Sequence, residues 1–212
     1  MKAQLILLGA PGSGKGTQAA KLVSDLGYKH ISTGDLLRSE IAKETELGNK
    51  VKEIMTRGEL VDDATVLELL NANCDLTSGS YIFDGFPRNI DQAKALDSVV
   101  IKDVAHKAIY FDIDLDILAE RLVNRRTCGD CGEIYNLLFK APKVEGVCDK
   151  CSGTNLNQRK DDNEESVKTR LGVFKSTIDP VLSYYEEKGA LKRVKASATS
   201  AEVFEEVKNT VE

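Results

Sequence analysis

The stretch LILLGAPGSGKGTQ, residues 5–18, decides the fold of this 212-residue chain. An apolar run ends at a glycine, a glycine-rich turn follows, and Lys15 opens a segment with helical periodicity. Gly12, Gly14 and Gly16 let the backbone approach an anion, because they have no Cβ and tolerate left-handed dihedral angles. Successive N–H groups and the start of a helix favour a bound phosphate, and Lys15 adds a full positive charge. The stretch therefore predicts a phosphate-binding loop.

The loop departs from the strict pattern, in which Ser or Thr follows the lysine directly. Here Gly16 intervenes and the hydroxyl comes one residue later, at Thr17. Whether that hydroxyl holds Mg²⁺ directly or through water stays open. Two other interpretations are a glycine-rich strand–helix turn without a ligand and a dinucleotide fingerprint. The fingerprint fits worse, because it requires two residues and then a third glycine after Gly14, whereas here Lys15 and Gly16 follow and the next residue is Thr17.

Composition describes an ordinary globular protein that is expected to reside in the cytoplasm. Apolar residues make up 42% of the chain, charged residues 30%, and the net charge is −5. A general nucleic-acid binder needs clustered Lys and Arg, so the acidic balance argues against one. No apolar run approaches the ~18 residues of a membrane span, and no signal peptide is recognised. We therefore expect neither membrane nor nucleic-acid partners, and we expect a monomer.

Strand and helix patterns alternate along the chain and predict an α/β fold, with a parallel sheet covered by helices on both faces. Ligands of such sheets bind at the carboxyl ends of the strands. Strands are expected at 5–8, 28–31, 81–84, 108–113 and 191–196. Helices are expected at 15–26, 33–41, 47–55, from Asp62 or Asp63 through Leu70, from Asn89 to about 102, at 115–125, 164–188 and 200–211. In these helices we expect Val23 and Ala119 to face the core. The 164–188 helix is expected to be interrupted or bent near Pro180.

Four of the five cysteines form a CxxC pair, a gap of sixteen residues and a second CxxC pair. This spacing is typical of a tetrahedral site in which four thiolates hold a structural zinc. Two disulfides and a Cys₄ iron centre are the alternatives. The ligands are Cys128, Cys131, Cys148 and Cys151. Cys74 lies alone in a predicted helix, where we expect it to be a small buried apolar residue.

Charged residues at strand and loop ends point to phosphoryl transfer. Asp84 ends an apolar strand, where a carboxylate orients magnesium in P-loop proteins, although such an Asp also caps helices or forms turns. Planar arginine forks bind phosphates in a bidentate manner. His30 and His106 do not lie near any catalytic signature in the sequence and are interpreted as structural. If the acceptor is a phosphate, it is already ionised and needs no general base. The candidate clamps are Arg38, Arg88, Arg125, Arg126, Arg159 and Arg170, whereas Arg121 fits a helix surface.

Along nearly its whole length the chain resembles the adenylate kinase family, in the bacterial form with a long zinc-bearing lid. The resemblance implies a P-loop nucleoside monophosphate kinase fold with a five-stranded parallel sheet and two small inserted domains. It also implies magnesium-dependent transfer of a phosphate from ATP to AMP, giving two ADP. The matching motifs are 9–17 (GAPGSGKGT), 32–38 (STGDLLR), 81–88 (YIFDGFPR) with Gln92, Arg125-Arg126, and 158–162 (QRKDD).

The resemblance also implies roles for individual residues. Lys15, Asp84, Arg88, Arg125, Arg159 and Arg170 would be catalytic. ATP would bind to Gly12, Ser13, Gly14, Lys15, Gly16, Thr17, Arg125, Ile134, Tyr135 and the backbone of Ala198. AMP would bind to Thr33, Arg38, Glu59, Leu60, Val61, Gly85, Phe86, Pro87, Arg88, Gln92, Arg159 and Arg170, with Gln92 meeting the adenine.

The domains implied by the resemblance are a core of residues 1–31, 62–123 and 163–212, an AMP-binding insertion at 32–61, and a zinc-bearing lid at 124–162. Other functions stay possible at this point. The chain is alternatively a kinase for another nucleoside monophosphate, a P-loop ATPase or nucleotide switch, or a zinc-ribbon module for nucleic acid. A guanine-specific Asn-Lys-x-Asp motif is absent, and two arginine-flanked insertions favour a second phosphate-bearing substrate.

Overall fold

A computed structural model describes residues 2–102 and 104–211. Within them the strands are β1 (Gln4–Leu8), β2 (Lys29–Ser32), β3 (Tyr81–Asp84), β4 (His106–Asp112), β5 (Arg125–Cys128), β6 (Ile134–Asn136), β7 (Leu156–Asn157) and β8 (Leu191–Lys195). The helices are α1 (Lys15–Leu26), α2 (Thr33–Ala42), α3 (Glu46–Arg57), α4 (Asp63–Asn73), α5 (Ile90–Ala95), α6 (Leu118–Val123), α7 (Glu164–Glu187) and α8 (Ser200–Val211).

Five of these strands form a parallel sheet in the order β2-β3-β1-β4-β8. Side chains of β1 alternate between its two faces. Leu5 and Leu7 pack with residues of α1, α6 and α8, whereas Ile6 and Leu8 pack with residues of α2, α4 and α7. All four are at most 2% exposed, and burying each contributes about 1.5–3 kcal/mol. The predicted parallel sheet with helices on both faces is confirmed.

Local signals placed several helix ends correctly. Helix α1 begins at Lys15 and ends before Gly27, whose φ of 69° is left-handed and whose N–H donates to the carbonyl of Val23. Asp62, not Asp63, caps α4, since its carboxylate accepts from the Thr65 N–H. The side chain of Val23, predicted to face the core, is 38% exposed.

The predicted helix at 115–125 is wrong at both ends. Leu115–Ile117 is a 3₁₀ turn, α6 covers only six residues, and Ala119 is exposed instead of facing inward. Arg125 is the first residue of β5, which pairs antiparallel with β6 and β7. The chain leaves the helix because this distant pairing satisfies its backbone, and periodicity alone does not reveal such a contact.

Two other helices differ from their predicted shapes. After α5 the chain widens into a π-helix at Leu96–Ile101, in which Leu96, Asp97, Val100 and Ile101 are all buried. Helix α7 runs through Pro180 without interruption, so the break that was one of the two predicted outcomes is absent. Pro180 itself is exposed, while Val181 and Leu182 beside it pack in the core and hold the helix in place.

The segment 124–162 builds a separate three-stranded sheet in the order β6-β5-β7. Its buried centre consists of Cys128, Tyr135 and Cys148, with Cys131 and Leu156 packed against them. So small an apolar centre cannot stabilise a sheet by burial alone.

Of the helices in the described part of the chain, none is long and apolar enough to cross a bilayer.

Candidate active site

The turn between β1 and α1 has the backbone that a phosphate-binding loop needs. Gly12 and Gly14 have φ values of 85° and 96°, in the left-handed region. A Cβ on Gly12 would lie 3.1 Å from the side chain of Leu122, whereas a Cβ on Gly14 would meet nothing within 4 Å. The loop therefore packs against α6 on one side and keeps open space on the other, where an anion fits.

Lys15 lies across this loop and its Nζ donates to the carbonyls of Gly9 and Ala10, at 2.7 and 2.9 Å. Burial lowers the pKa of Lys15 most, the nearby carboxylate of Asp84 raises it, three arginines of the cleft lower it, and the net pKa is about 8. The ammonium therefore stands among like charges. A bound phosphate would supply the negative charge that stabilises it.

Asp84 lies beside the loop because β3 is the neighbour of β1, and Asp84 is in register with Leu7. Its Oδ2 is 4.0 Å from the position of a Cβ on Gly16. Burial raises the pKa of Asp84, but a hydrogen bond from His30 and the charge of Lys15 outweigh this, and the net pKa is lowered. The ionised carboxylate fits the chemistry of a magnesium site, since Mg²⁺ prefers oxygen ligands and their bound waters.

His30 is nearer to the site than the sequence suggested. Its Nε2 lies 3.3 Å from Oδ2 of Asp84, so the interpretation that it is remote from any catalytic signature is wrong. In the pairing of β2 with β3, Ser32 is opposite Asp84, and His30 lies two residues earlier on the same face. This register depends on the fold, so nothing in the local sequence indicated it.

Arginines from four different parts of the fold converge on the same cleft. Arg125 (β5) donates to the fully buried Asp162 at 2.8 and 2.6 Å, and Nη1 of Arg170 (α7) is 3.1 Å from the same carboxylate. Arg38 in α2 binds Asp35, and Arg159 lies 3.7 Å from that carboxylate. Four of the six sequence-predicted clamps are thus brought together by these contacts.

The cleft holds more positive than negative charge. Lys15 and the arginines at 38, 88, 125, 159 and 170 face the carboxylates at 35, 84, 161 and 162, among the residues that the structure describes. Arg88 is exposed towards the cleft, yet desolvation and the charge of Arg170 together lower its pKa to about 10. This excess of cations in a partly dry cleft favours substrates with several phosphates.

Three acids of this cluster were missed as site residues. Asp161 and Asp162 follow the basic pair Arg159-Lys160 in the sequence, and adjacent acids after adjacent bases are a signal for an ion-pair network. Asp35 lies within the 32–38 motif but was not named as a site residue. Arg126, named as a candidate clamp, turns away from the cluster, since its Nη1 donates to the carbonyls of Val123 and Arg125.

Residues expected to hold ATP lie on several sides of the loop. Ser13 is buried in the loop itself, and the side chain of Ile134 lies 3.5 Å from the Cβ position on Gly16. The side chain of Tyr135 points into the cysteine cluster, so it offers a nucleotide only its backbone. Ala198 is exposed in the loop before α8. The start of α8 is held against α1, because Nε2 of Gln18 donates a hydrogen bond to the carbonyl of Ser200.

Residues expected to hold AMP line the other side of the cleft. Thr33 is buried, with its Oγ1 2.9 Å from the Cβ position on Gly85, and Arg88 donates from Nε to the Gly85 carbonyl. Phe86 and Pro87 are buried, as is Val61, while Leu60 is half-buried. Glu59 is exposed and its carboxylate pairs with Arg57. Gln92 is buried between α4 and α5, where Asp63 binds its amide.

The four predicted metal ligands meet in the small sheet. Their sulfur atoms all lie within 4.8 Å of one another, with Cys128–Cys151 at 3.6 Å and Cys131–Cys148 at 3.5 Å. A tetrahedral zinc with bonds of about 2.3 Å needs sulfur–sulfur edges of about 3.8 Å, so the donor set fits zinc. A disulfide would need about 2.05 Å, and these thiols are free.

Cys74 differs from its expected environment. It lies just after α4 rather than within a helix, and it is half-buried against the main core. Burial raises the pKa of its thiol to about 11, which leaves the sulfur protonated and unreactive at neutral pH.

This fold and this cluster define a P-loop phosphotransferase. A family model described as adenylate kinase matches residues 7–190. The chain is 46% identical over 210 residues to an adenylate kinase of Thermodesulfovibrio yellowstonii (96% of each chain). It is 43% identical over 208 residues to one of a Hydrogenobaculum species (97% and 98%), and 44% over 212 residues to one of Bacillus licheniformis (96% and 95%). The chain therefore belongs to the adenylate kinase family.

The family settles the reaction that the sequence left open. The chain is a nucleotide-binding enzyme that transfers the terminal phosphate of ATP to AMP and gives two ADP, with magnesium as the partner of ATP. ATP, AMP and ADP are its small-molecule substrates. A nucleotide switch, a simple ATPase and a zinc-ribbon nucleic-acid module are thereby set aside.

Proposed function

We propose that the cleft around Lys15 carries this transfer with the residues assigned above to ATP, to AMP and to catalysis. The observation that supports the proposal best is the convergence of Lys15 with arginines from β5, α2, α7 and two loops. ATP phosphates lie on the turn 12–17, and the acceptor phosphate of AMP lies among Arg38, Arg88, Arg159 and Arg170. The lid and the loop of Ala198 cover the rest of ATP.

Positioning and charge perform the chemistry. The acceptor phosphomonoester is mostly ionised at neutral pH, with a second pKa of about 6, so its oxygen attacks without a general base. Lys15 follows the transferring group, and the arginine forks neutralise charge that spreads over its equatorial oxygens. No covalent intermediate on the protein is needed. When bound, magnesium neutralises ATP charge, and Thr17 and Asp84 are the residues that hold it or its waters.

The segments 32–61 and 124–162 act as two covers over the core of 1–31, 62–123 and 163–212. A separate sheet with its own cysteine core supports treating 124–162 as a unit. Closure of both covers excludes water and so limits hydrolysis of ATP. Zinc held by Cys128, Cys131, Cys148 and Cys151 is structural, because four thiolates leave no open coordination position.

The enzyme works as a monomer in the cytoplasm, without membrane or nucleic-acid partners. Five free thiols support a reducing compartment, and the net charge of −5 supports the absence of nucleic acid. Gel filtration with light scattering tests the monomer, and a dimer at working concentration would contradict it.

One assay tests the proposed reaction and its acceptor. ADP formation from ATP is measured with AMP, CMP, UMP, GMP and IMP, each with and without magnesium. We expect ADP only with AMP as a good acceptor and only when magnesium is present. Another nucleoside monophosphate that matched AMP would contradict the adenine specificity, and ATP hydrolysis without an acceptor would contradict the transfer.

A further inference from the structure

The side-chain amide of Gln92 is held by two neighbours, of which one accepts a hydrogen bond from it and the other donates a hydrogen bond to it. Its Nε2 donates to Oδ1 of Asp63, and its Oε1 accepts from the backbone N–H of Arg88, both at 2.7 Å. An ionised carboxylate only accepts hydrogen bonds and a backbone N–H only donates them. These contacts therefore determine which end of the amide is oxygen and which is nitrogen.

The carboxylate of Asp63 is itself held in place by Asn89. Asn89 donates from Nδ2 to both oxygens of Asp63, at 3.2 Å, and its own Oδ1 accepts from the Gln92 backbone N–H at 2.8 Å. Asp63 begins α4, whereas Asn89 and Gln92 stand at the start of α5. The carboxylate thus joins two helix starts, and it cannot turn away from Gln92 without also weakening its bonds to Asn89.

The amide keeps one donor and one acceptor for a ligand. A glutamine amide has two N–H groups and two oxygen lone pairs, and the protein uses one of each. The remaining donor and acceptor belong to adjacent atoms of the amide, Nε2 and Oε1, whose order is fixed by these two contacts. A 6-aminopurine offers a donor at N6 beside an acceptor at N1, whereas a 6-oxopurine offers an acceptor at O6 beside a donor at N1. A freely turning amide would match either base after half a turn.

We infer that Asp63 is a positioning residue that prevents this turn of Gln92 and so selects a 6-aminopurine over a 6-oxopurine. The inference rests on the proposed role of Gln92 at the acceptor base. Turning the amide would place Oε1 of Gln92 against the carboxylate of Asp63 and its NH₂ against the N–H of Arg88. Both contacts are repulsive, and repulsion against the wrong partner is a common source of specificity.

The test is the ratio of kcat/KM for AMP to kcat/KM for IMP in Asp63→Asn and Asp63→Ala. We expect this ratio to fall about tenfold in both, the equivalent of one hydrogen-bond preference. Because the fraction of folded enzyme cancels in the ratio, lost stability alone does not change it. Asp62→Asn is the matched control, since it removes the same charge one residue away and an asparagine still caps α4.

Gln92→Ala separates the inference from the proposal beneath it. A lower ratio in Gln92→Ala and in both Asp63 variants, with a wild-type ratio in Asp62→Asn, supports the inference. A wild-type ratio in either Asp63 variant overturns it while the role of Gln92 stands, provided that Gln92→Ala lowers the ratio. A wild-type ratio in Gln92→Ala overturns the role of Gln92 as well. An equal fall in Asp62→Asn would attribute the effect to charge at the helix start and overturn the inference.

Discussion

Arg125 donates two hydrogen bonds to the carboxylate of Asp162, and this pair joins the two ends of the segment 124–162. Asp162 is fully buried and also contacts Arg170 of the core helix α7. One carboxylate therefore positions two of the proposed catalytic arginines. It also fixes the segment at its base, where β5 begins and β7 has ended.

Replacing this carboxylate with an amide should damage stability and catalysis together. In Asp162→Asn the guanidinium of Arg125 loses its charged partner, and Arg170 keeps only Asp161. Breaking a buried pair costs about 3–5 kcal/mol. We expect a lower melting temperature and a lower kcat in assays below the melting transition. Asp91→Asn, at an exposed position of α5, is the control. An unchanged kcat in Asp162→Asn would show that the pair is structural only.

Lys15→Met should abolish transfer and leave the fold intact, because the hydrogen bonds of the Lys15 ammonium within the described residues all go to the loop itself. Removing a charge that follows phosphate into the transition state should lower kcat by at least ~10²-fold. Lys175→Met, on the exposed side of α7, controls for loss of a positive charge. Near-normal turnover of Lys15→Met, with an unchanged circular dichroism spectrum, would show that the loop does not hold the donor phosphate.

Arg88→Ala and Gln92→Ala should fail in different ways. Arg88 faces the acceptor phosphate in the proposed complex, so its loss should lower kcat as well as AMP affinity. In the same complex Gln92 contacts only the base, so its loss should mainly raise KM for AMP. The rise should correspond to a loss of about 1–3 kcal/mol of binding free energy, the cost of an unmade buried hydrogen bond. Steady-state kinetics with varied AMP separates the two. A large loss of kcat in Gln92→Ala would contradict a role confined to the base.

His30 should control the acid limb of the pH–rate profile. The hydrogen bond from His30 helps to keep the pKa of Asp84 low against the effect of burial. In His30→Leu that pKa should rise, so Asp84 takes up its proton at a higher pH and the fall of kcat/KM on acidification begins earlier. His30→Gln retains a donor and should stay close to the wild type. Identical acid limbs in all three enzymes would show that Asp84 ionisation does not limit the reaction.

Removing one zinc ligand should loosen the lid without abolishing the chemistry. We expect one zinc per chain in the wild type, and a lower melting temperature for Cys151→Ser, since the metal replaces the core that this small sheet lacks. Below its melting point the variant should turn over at a moderately reduced rate, because Lys15, Arg38 and Arg88 lie outside the lid. Cys74→Ser, which keeps all four ligands, is the control for loss of a thiol.

Metal analysis, calorimetry and low-temperature assays of these enzymes decide the question. Activity that is lost completely in Cys151→Ser while the main sheet stays folded would assign the metal to the chemistry. A full complement of zinc in Cys151→Ser, with unchanged melting, would show that the fourth sulfur is not a ligand.

The sequence predicted those parts of the fold that are encoded locally. Each of three such features depends on residues that are close together in the chain, and each was found where expected. They are the turn at Gly12, the end of α1 at Gly27 and the CxxC spacing of the metal ligands. The pairing of His30 with Asp84 depends on strand register, and that of Arg125 with Asp162 depends on where a distant segment returns. Such contacts carry no periodic signal, so the acids of the site were largely missed.

The strand order has a consequence for how the chain folds while it is being synthesised. The central strand β1 has β3 and β4 as neighbours, and only β8 comes from the last quarter of the chain, at an edge. Strands β1 to β4 are therefore able to pair while the ribosome is still synthesising the lid (residues 124–162) and α7. The nascent domain would carry an open edge at β4 until β8 emerges, and an unpaired edge is a template for aggregation. Chaperone contact with the unfinished chain is thus expected at β4.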